Sequence, residues 1–303
     1  MTNISALQQY FVDNFPKEIV KIQEPMSKHT SFRIGAEAEV MVFPQNAATL
    51  SEILKQSAIL DCKVHILGAG TNVLAPDEGL PGLVICLKDC LVGKRHLDDT
   101  RIEVMAGETM TKAAVYAAGL GLSGMEFAHG IPGTVGGGVF MNAGAYGGEV
   151  CQILECVDVM DRKGNLRTMT ADEMQFSYRR SVLEDTGDIV ISAVFKLAKK
   201  DSEEIRATMK ELMAKRSASQ PLDLPSAGSA FKRPVGGYAA ALIDQAGLKG
   251  FQIGGAAIST KHAGFAVNLG GATAGDVRNL LSAVSDRVYE KFAIRLEPEV
   301  RIW

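Results

Sequence analysis

Gly130-Ile-Pro-Gly-Thr-Val-Gly-Gly-Gly-Val-Phe-Met-Asn-Ala-Gly-Ala-Tyr-Gly-Gly148 places eight glycines in nineteen residues. Glycine loses more backbone freedom on folding than any other residue and brings no side chain to a core, so the stretch is expected neither to pack a core nor to hold a stable helix. What it offers is bare backbone, either at positive φ or open to close approach by a ligand. Phosphate is the common ligand of such a surface, because successive N–H groups form an anion-binding nest. A glycine-rich loop serving tight turns alone is the competing reading.

A second glycine segment, Gly68-Ala-Gly-Thr-Asn-Val73, follows the β-branched run Val64-His-Ile-Leu67, which reads as a buried strand. It resembles the start of a dinucleotide fingerprint and fails as one. Val73 stands where the third glycine belongs, and Pro76-Asp-Glu-Gly79 follows where a helix would open. A strand ending in a glycine turn, with Thr71 and Asn72 as hydrogen-bonding side chains, remains a phosphate cradle outside the Rossmann fold.

At 303 residues and 47% hydrophobic, the chain is long enough for two or three domains with substantial cores. The formal charge of -3 gives no global attraction to nucleic acid or to an anionic membrane, so an anionic ligand must be met by local cations such as Arg179-Arg180 and Lys232-Arg233. Cys62, Cys86, Cys90, Cys151 and Cys156 form an odd set without a CxxC pair, which argues against a disulfide framework and against a metal site. The N-terminus, with Asp13, Lys17 and Glu18 among its apolar residues, lacks the core of a secretory signal. No window approaches the roughly 20 apolar residues of a membrane span. These features point to the cytoplasm.

Periodicity predicts a helix over 50–60 with Asn46 as its cap, and strands over 82–87 and 101–106. A helix over 111–118 is expected to stop at Gly119. Strands over 153–160 and 166–169 flank the hairpin turn Arg162-Lys-Gly-Asn165, and another strand covers 189–197. The charged run Ala198-Lys-Lys-Asp-Ser-Glu-Glu204 opens a helix and marks the main domain boundary. Beyond it come a proline-rich connector, a short helix over 238–246, a long amphipathic helix over 275–292 and a strand-like end over 294–303.

Three polar residues stand out beyond the glycine segments. Arg179 lies in Phe176-Ser-Tyr-Arg-Arg-Ser181, Ser229 in Ser226-Ala-Gly-Ser-Ala-Phe-Lys-Arg-Pro234, and Glu299 in Leu296-Glu-Pro-Glu-Val-Arg301. Singly they read as a surface cation, a turn hydroxyl and a solvent-facing carboxylate. Together, an arginine, a hydroxyl donor and a carboxylate can recognise a carboxylate substrate and protonate the carbon beside it.

The segments 68–72, 130–147, Tyr178-Arg-Arg-Ser181, Ala227-Gly-Ser-Ala-Phe-Lys232, Gly247-Leu-Lys-Gly-Phe-Gln-Ile-Gly-Gly-Ala256 and Leu296-Glu-Pro-Glu-Val300 occur in the order seen in the UDP-N-acetylenolpyruvoylglucosamine reductase family, which the chain resembles from about Glu24 to Trp303. The resemblance implies an α+β protein. A two-lobed FAD-binding region of the vanillyl-alcohol-oxidase type would cover 1–198, a smaller α+β substrate-binding domain 199–292, and a strand over 293–303 would return to the first region. It implies non-covalent FAD with NADPH as reductant, and a small-molecule UDP-sugar as substrate, with no nucleic acid, membrane or obligate protein partner. The product would be UDP-N-acetylmuramate for peptidoglycan.

By the same resemblance, Gly68, Gly70, Thr71 and Asn72 line the FAD pyrophosphate, with Gly133, Thr134, Gly136 and Gly137 completing the cradle. A hydride from the reduced flavin adds to the enolpyruvyl methylene carbon. Arg179 and Glu299 stabilise the charge this pushes onto the carboxylate, and Ser229 donates a proton to the adjacent carbon. Tyr178, Lys232, Arg233 and His262 are the substrate-binding candidates. Thr71 stands where many members have serine, and Arg233 where one subclass has asparagine. No long insertion carrying that subclass's tyrosine lid follows Ser181, so the chain resembles the shorter, lidless members. Two other readings remain open: a flavin-dependent oxidase or dehydrogenase acting on another substrate on the same fold, and a nucleotide-sugar binding protein without catalysis.

Overall fold

Side-chain caps open the longer helices, because the first-turn N–H groups of a helix have no partner within it. In the computed structural model, which describes residues 5–303, the Asn46 side chain accepts the Thr49 N–H at 2.9 Å at the head of the helix Ala47–Ile59. Thr109 and Thr273 cap Met110–Gly119 and Ala274–Phe292 in the same way. The last helix gains a second cap from far away in sequence. The Asp77 carboxylate accepts the N–H groups of Ala274 and Gly275 at 2.7 and 2.9 Å, putting negative charge at the positive end of the helix dipole.

Chain contacts divide the molecule into two units. The first is built from the residues up to Ile22, Val40–Ala69 and Gly82–Lys215. It contains a parallel pair, Val64–Leu67 beside Leu83–Cys86, and an antiparallel sheet. That sheet runs in the order Leu166–Thr170, Leu154–Met160, Ile189–Lys196, Arg101–Met105, Lys94–Asp98. Alternation along Arg101–Met105 sends Ile102 and Val104 into a core shared with the helix Met110–Gly119.

The second unit joins Gln23–Glu39 and Gly70–Pro81 to Arg216–Trp303. Its antiparallel sheet runs Ser226–Ser229, Phe265–Asn268, Ala256–Ile258, Gln252–Ile253. Val277, Leu280, Leu281, Val284 and Val288, all buried, form the inward stripe of Ala274–Phe292 and share a core with Ile243 of the helix Ala239–Gln245. Helices segregated from mainly antiparallel sheets make this the expected α+β class.

Three expectations need correction. The glycine-rich stretch does hold a helix, Val135–Phe140, and it does pack a core, since Val135 and Val139 are fully buried. Each glycine costs about 1 kcal/mol of helix propensity against alanine. Here the missing side chains let the helix lie close to its neighbours: a methyl on Gly136 would meet the Ala106 methyl at 3.0 Å, and one on Gly138 the Met110 sulfur at 2.7 Å. Next, Gly119 does not break its helix but is its final residue, and the left-handed conformation falls on Gly121 at φ +69. Finally, the strand expected over 294–303 shrinks to Arg301–Ile302, parallel to Val73–Leu74, with an isolated bridge between Pro298 and Phe231.

Among the described residues, no helix is long and apolar enough to cross a membrane, no group of His, Cys, Asp and Glu is arranged to hold a metal ion, and the five cysteines are unbridged.

Glycine packing gives a paired test. A side chain on Gly107 would overlap the Leu87 carbonyl and approach the Leu91 carbonyl at 2.8 Å, backbone that cannot yield, whereas one on Gly119 would meet nothing within 4 Å. Gly107→Ala is expected to cost about 3 kcal/mol or more, and Gly119→Ala to stabilise by about 0.5 kcal/mol. Denaturant titration of both variants checks this, and equal stability of the two would contradict the packing.

Candidate active site

In the first unit the two glycine segments meet. Gly68 ends the strand Val64–Leu67, and a methyl there would sit 2.5 Å from the Thr134 hydroxyl, the cap of the glycine helix. Their amides differ in use. Gly133, Gly136 and Gly137 donate within the protein, to the Ile131 carbonyl, the Ala106 carbonyl and Thr134 Oγ1 at 2.9, 2.9 and 3.3 Å. For the N–H groups of Gly68 and Ala69 there is no protein acceptor among the described residues. The same holds for Gly70 and Thr71 in the second unit. N–H groups without protein acceptors suit an anionic group such as a pyrophosphate, so the residues in each unit fit FAD binding on chemical grounds.

Arg179 is displayed by a tight turn. Ser177 and Arg180 exchange both backbone hydrogen bonds, at 3.0 and 3.2 Å, leaving Tyr178 and Arg179 at the tip with Arg179 at φ +58. That conformation is sparsely populated outside glycine and persists where its surroundings impose it. The guanidinium donates to the carbonyls of Asn142 and Gly144 at 3.4 and 3.0 Å, and its carbon lies 5.2 Å from the Tyr178 ring centre. Arg180 is used differently, its Nη2 donating to both carboxylate oxygens of Asp185 at 2.7 Å. Ser181, buried, donates to the Phe140 carbonyl at 2.7 Å.

In the second unit the structure brings Ser229, Glu299 and Asn72 together. Between the pairs Ser226↔Val267 and Ser229↔Phe265, three steps on one strand oppose two on the other, which is a β-bulge. Gly228, at φ +74, supplies the left-handed residue, and the bulge re-aims Ser229, which is exposed. The next residue, Ala230, accepts the Glu299 N–H at 2.9 Å, and Lys232 N–H goes to the Glu297 carbonyl at 2.9 Å. The Ser229 hydroxyl and the half-buried Glu299 carboxylate therefore stem from neighbouring backbone segments. Asn72 locks the arrangement from a third side, its side chain donating to the Glu299 carbonyl at 3.1 Å while its own carbonyl accepts Arg301 N–H at 3.0 Å.

The remaining candidates are also in this unit. Lys232 pairs with Glu297 at 3.4 Å, and Arg233 lies 4.3 Å over the Tyr238 ring. His262 accepts the Gly264 N–H on Nδ1 at 3.0 Å and meets Phe265 edge-on at 5.0 Å. That leaves Nε2–H as the ring's donor. Burial, together with Lys249, holds the imidazole below its ordinary range, against a smaller opposing contribution from a backbone hydrogen bond. Sequence reasoning missed Ser31, whose hydroxyl donates to the Ser226 carbonyl at 2.6 Å and lies 3.3 Å from that of Gly70, and Asn142, a polar residue buried in the glycine stretch. Nothing in the sequence marks Ser31. For Asn142 the signal was a lone amide among apolar and glycine neighbours.

Residues 220–303 match the profile described as UDP-N-acetylenolpyruvoylglucosamine reductase, C-terminal domain, and residues 38–170 that of an FAD binding domain. The UDP-N-acetylenolpyruvoylglucosamine reductase of Latilactobacillus sakei subsp. sakei is 43% identical over 283 residues, covering 93% of each chain. That of Lactobacillus helveticus is 46% identical, covering 93% of this chain and 94% of its own. The crystal structure of UDP-N-acetylenolpyruvylglucosamine reductase from Thermus caldophilus superposes with a TM-score of 0.80 at 36% identity, covering 94% of this chain and 98% of that one.

His262 should be neutral at pH 7. Its imidazole resonances are expected to titrate with a midpoint below the 6.5 of a free histidine, and a midpoint at or above that value would contradict the buried, Nδ1-accepting geometry.

Proposed function

The chain belongs to the UDP-N-acetylenolpyruvoylglucosamine reductase family, and from that premise we propose how its own residues carry the reaction. The protein is an FAD-dependent oxidoreductase that reduces UDP-N-acetylglucosamine enolpyruvate to UDP-N-acetylmuramate in peptidoglycan precursor synthesis, with NADPH as the reductant. We assign the reaction to the cytoplasm, where both small molecules are available.

The amides of Gly68, Ala69, Gly70 and Thr71 would hold the FAD pyrophosphate, and Asn72, Gly133, Thr134, Gly136 and Gly137 would line the cradle. When bound and reduced by NADPH, FAD would supply the hydride chemistry that saturates the enolpyruvyl double bond. Arg179 binds the substrate carboxylate through its planar fork and stabilises the negative charge that gathers there. Glu299, in its protonated form, donates a hydrogen bond to the same charge. Ser229 delivers a proton to the carbon beside the carboxylate. A hydroxyl is a weak acid, but a carbanion-like centre is a strong enough base to take its proton.

The observation that carries this reading is the backbone pairing of Ala230 with Glu299, which sets a hydroxyl and a carboxylate on adjoining segments. Tyr178, Lys232, Arg233 and His262 bind the rest of the substrate. An exposed ion pair such as Lys232–Glu297 contributes about 0–1 kcal/mol, so a diphosphate can draw Lys232 away from Glu297 at little cost.

NADPH consumption by the FAD-loaded protein is expected to depend on UDP-N-acetylglucosamine enolpyruvate. Arg179→Lys, which keeps the charge and loses the fork, is expected to lower turnover by about 10²-fold or more with FAD content unchanged. Oxidation of NADPH that ignores the enolpyruvyl sugar would favour an oxidase of another substrate, and binding of the sugar without turnover would favour a binding protein. Near-normal turnover in both Arg179→Lys and Arg179→Ala would return Arg179 to the status of a surface cation.

A further inference from the structure

Asn142 is 1% exposed and sits at φ +43, in the left-handed region, just beyond the glycine helix. Its side-chain amide is fully engaged. Nδ2 donates to the Ser177 carbonyl at 3.1 Å and to Glu149 Oε2 at 3.3 Å, and Oδ1 accepts the Cys151 N–H at 3.0 Å. These partners fix which way the amide points, since a carbonyl and a carboxylate need a donor and an N–H needs an acceptor. The same residue's backbone carbonyl accepts from the Arg179 guanidinium. Asn142 thus touches the Arg179 turn twice, at its base through Ser177 and at its tip through the guanidinium. Two further bonds pin that turn to the same stretch: Ser181 Oγ to the Phe140 carbonyl at 2.7 Å, and Arg179 Nη2 to the Gly144 carbonyl at 3.0 Å.

We propose that Asn142 is a positioning residue for Arg179, with its side chain setting the Ser177–Arg180 turn and its carbonyl aiming the guanidinium. The inference rests on the assignment of Arg179 to the substrate carboxylate. The physical reason lies in the turn itself. Arg179 occupies a backbone conformation that arginine avoids when unsupported, so its direction depends on what holds the turn. Asn142 is a buried polar group that bonds both the base and the tip of the turn, beside the Ser181 anchor. Misplacing a substrate-orienting group by about 1 Å costs about 10²-fold in rate, so this support acts on catalysis without touching the substrate.

Asn142→Gly is the cleanest variant, because glycine accepts φ +43 and the change removes the side-chain bonds alone. Asn142→Asp keeps the shape and sets a carboxylate against the Ser177 carbonyl and the Glu149 carboxylate. In the FAD-loaded protein, both are expected to slow reoxidation of the reduced enzyme by UDP-N-acetylglucosamine enolpyruvate by about tenfold or more, with Asn142→Asp the slower. Flavin reduction by NADPH should stay unchanged, and calorimetry on the oxidised protein should show weaker binding of the sugar. In an Arg179→Ala background, Asn142→Gly should add no further loss, because the two act as a unit. If Arg179→Ala alone has no effect, the assignment of Arg179 fails, and this inference with it. If Arg179→Ala is slow while Asn142→Gly is normal, or the two losses multiply, Asn142 does not position Arg179. Loss of FAD, or equal slowing of both half-reactions in Asn142→Gly and Asn142→Asp, would show a merely structural role and overturn the proposal.

Discussion

The hydrogen bond from the Glu299 N–H to the Ala230 carbonyl constrains the chemistry more than any side-chain contact does. It joins the last stretch of the chain to the strand that carries Ser229, with the Lys232 to Glu297 bond as its companion. Between these two bonds Pro298 faces Phe231 at a position where no donor is required, so the imino acid costs the pairing nothing. The Gly228 bulge then turns Ser229 outward, and the Asn72 amide braces the Glu299 carbonyl. The hydroxyl and the carboxylate are set by backbone geometry, which leaves their side chains to respond to substrate.

Glycine serves two separate purposes in this chain, and the site depends on the difference. At Gly136 and Gly138 the helix must lie against Ala106 and Met110, and any side chain would hold it away. At Gly70 the backbone is left-handed at φ +62 and a side chain would overlap the His29 carbonyl. The second use leaves amides facing away from protein acceptors, and the first spends them inside the fold. Left-handed backbone in the glycine-rich stretch falls instead on Asn142, Tyr146 and Gly147. Asn142 is held in that conformation by the bonds of its amide to Glu149, Cys151 and Ser177.

Much of the fold was legible in the residues themselves. Asn46 caps the helix it was expected to cap, the strand Val64–Leu67 appears with the bounds its β-branched run predicts, and the apolar stripe of Ala274–Phe292 faces a core. The FAD chemistry and the family followed from six motifs in order, and the comparisons agree. Tertiary packing was not legible. Propensity argued against a helix at Val135–Phe140, and burial of two valines with close approach of the backbone outweighed it. Asp77 figured only within Pro76-Asp-Glu-Gly79, the run that argued against a dinucleotide fingerprint, and its role as a cap for a helix almost two hundred residues later needed the fold. Ser31 and Asn142 act through partners distant in sequence, which periodicity cannot report.

The most direct test of the Ser229–Glu299 arrangement separates the two half-reactions in Ser229→Ala. In the proposed role of Ser229, reduction of the bound flavin by NADPH needs no proton from it, whereas reoxidation by UDP-N-acetylglucosamine enolpyruvate does. Rapid mixing of the pre-reduced variant with saturating substrate is expected to show reoxidation slowed by about 10²- to 10⁴-fold, the range for a lost general acid, with NADPH reduction unchanged. Reoxidation at the wild-type rate would mean that another group or water delivers the proton, and would contradict the role given to Ser229.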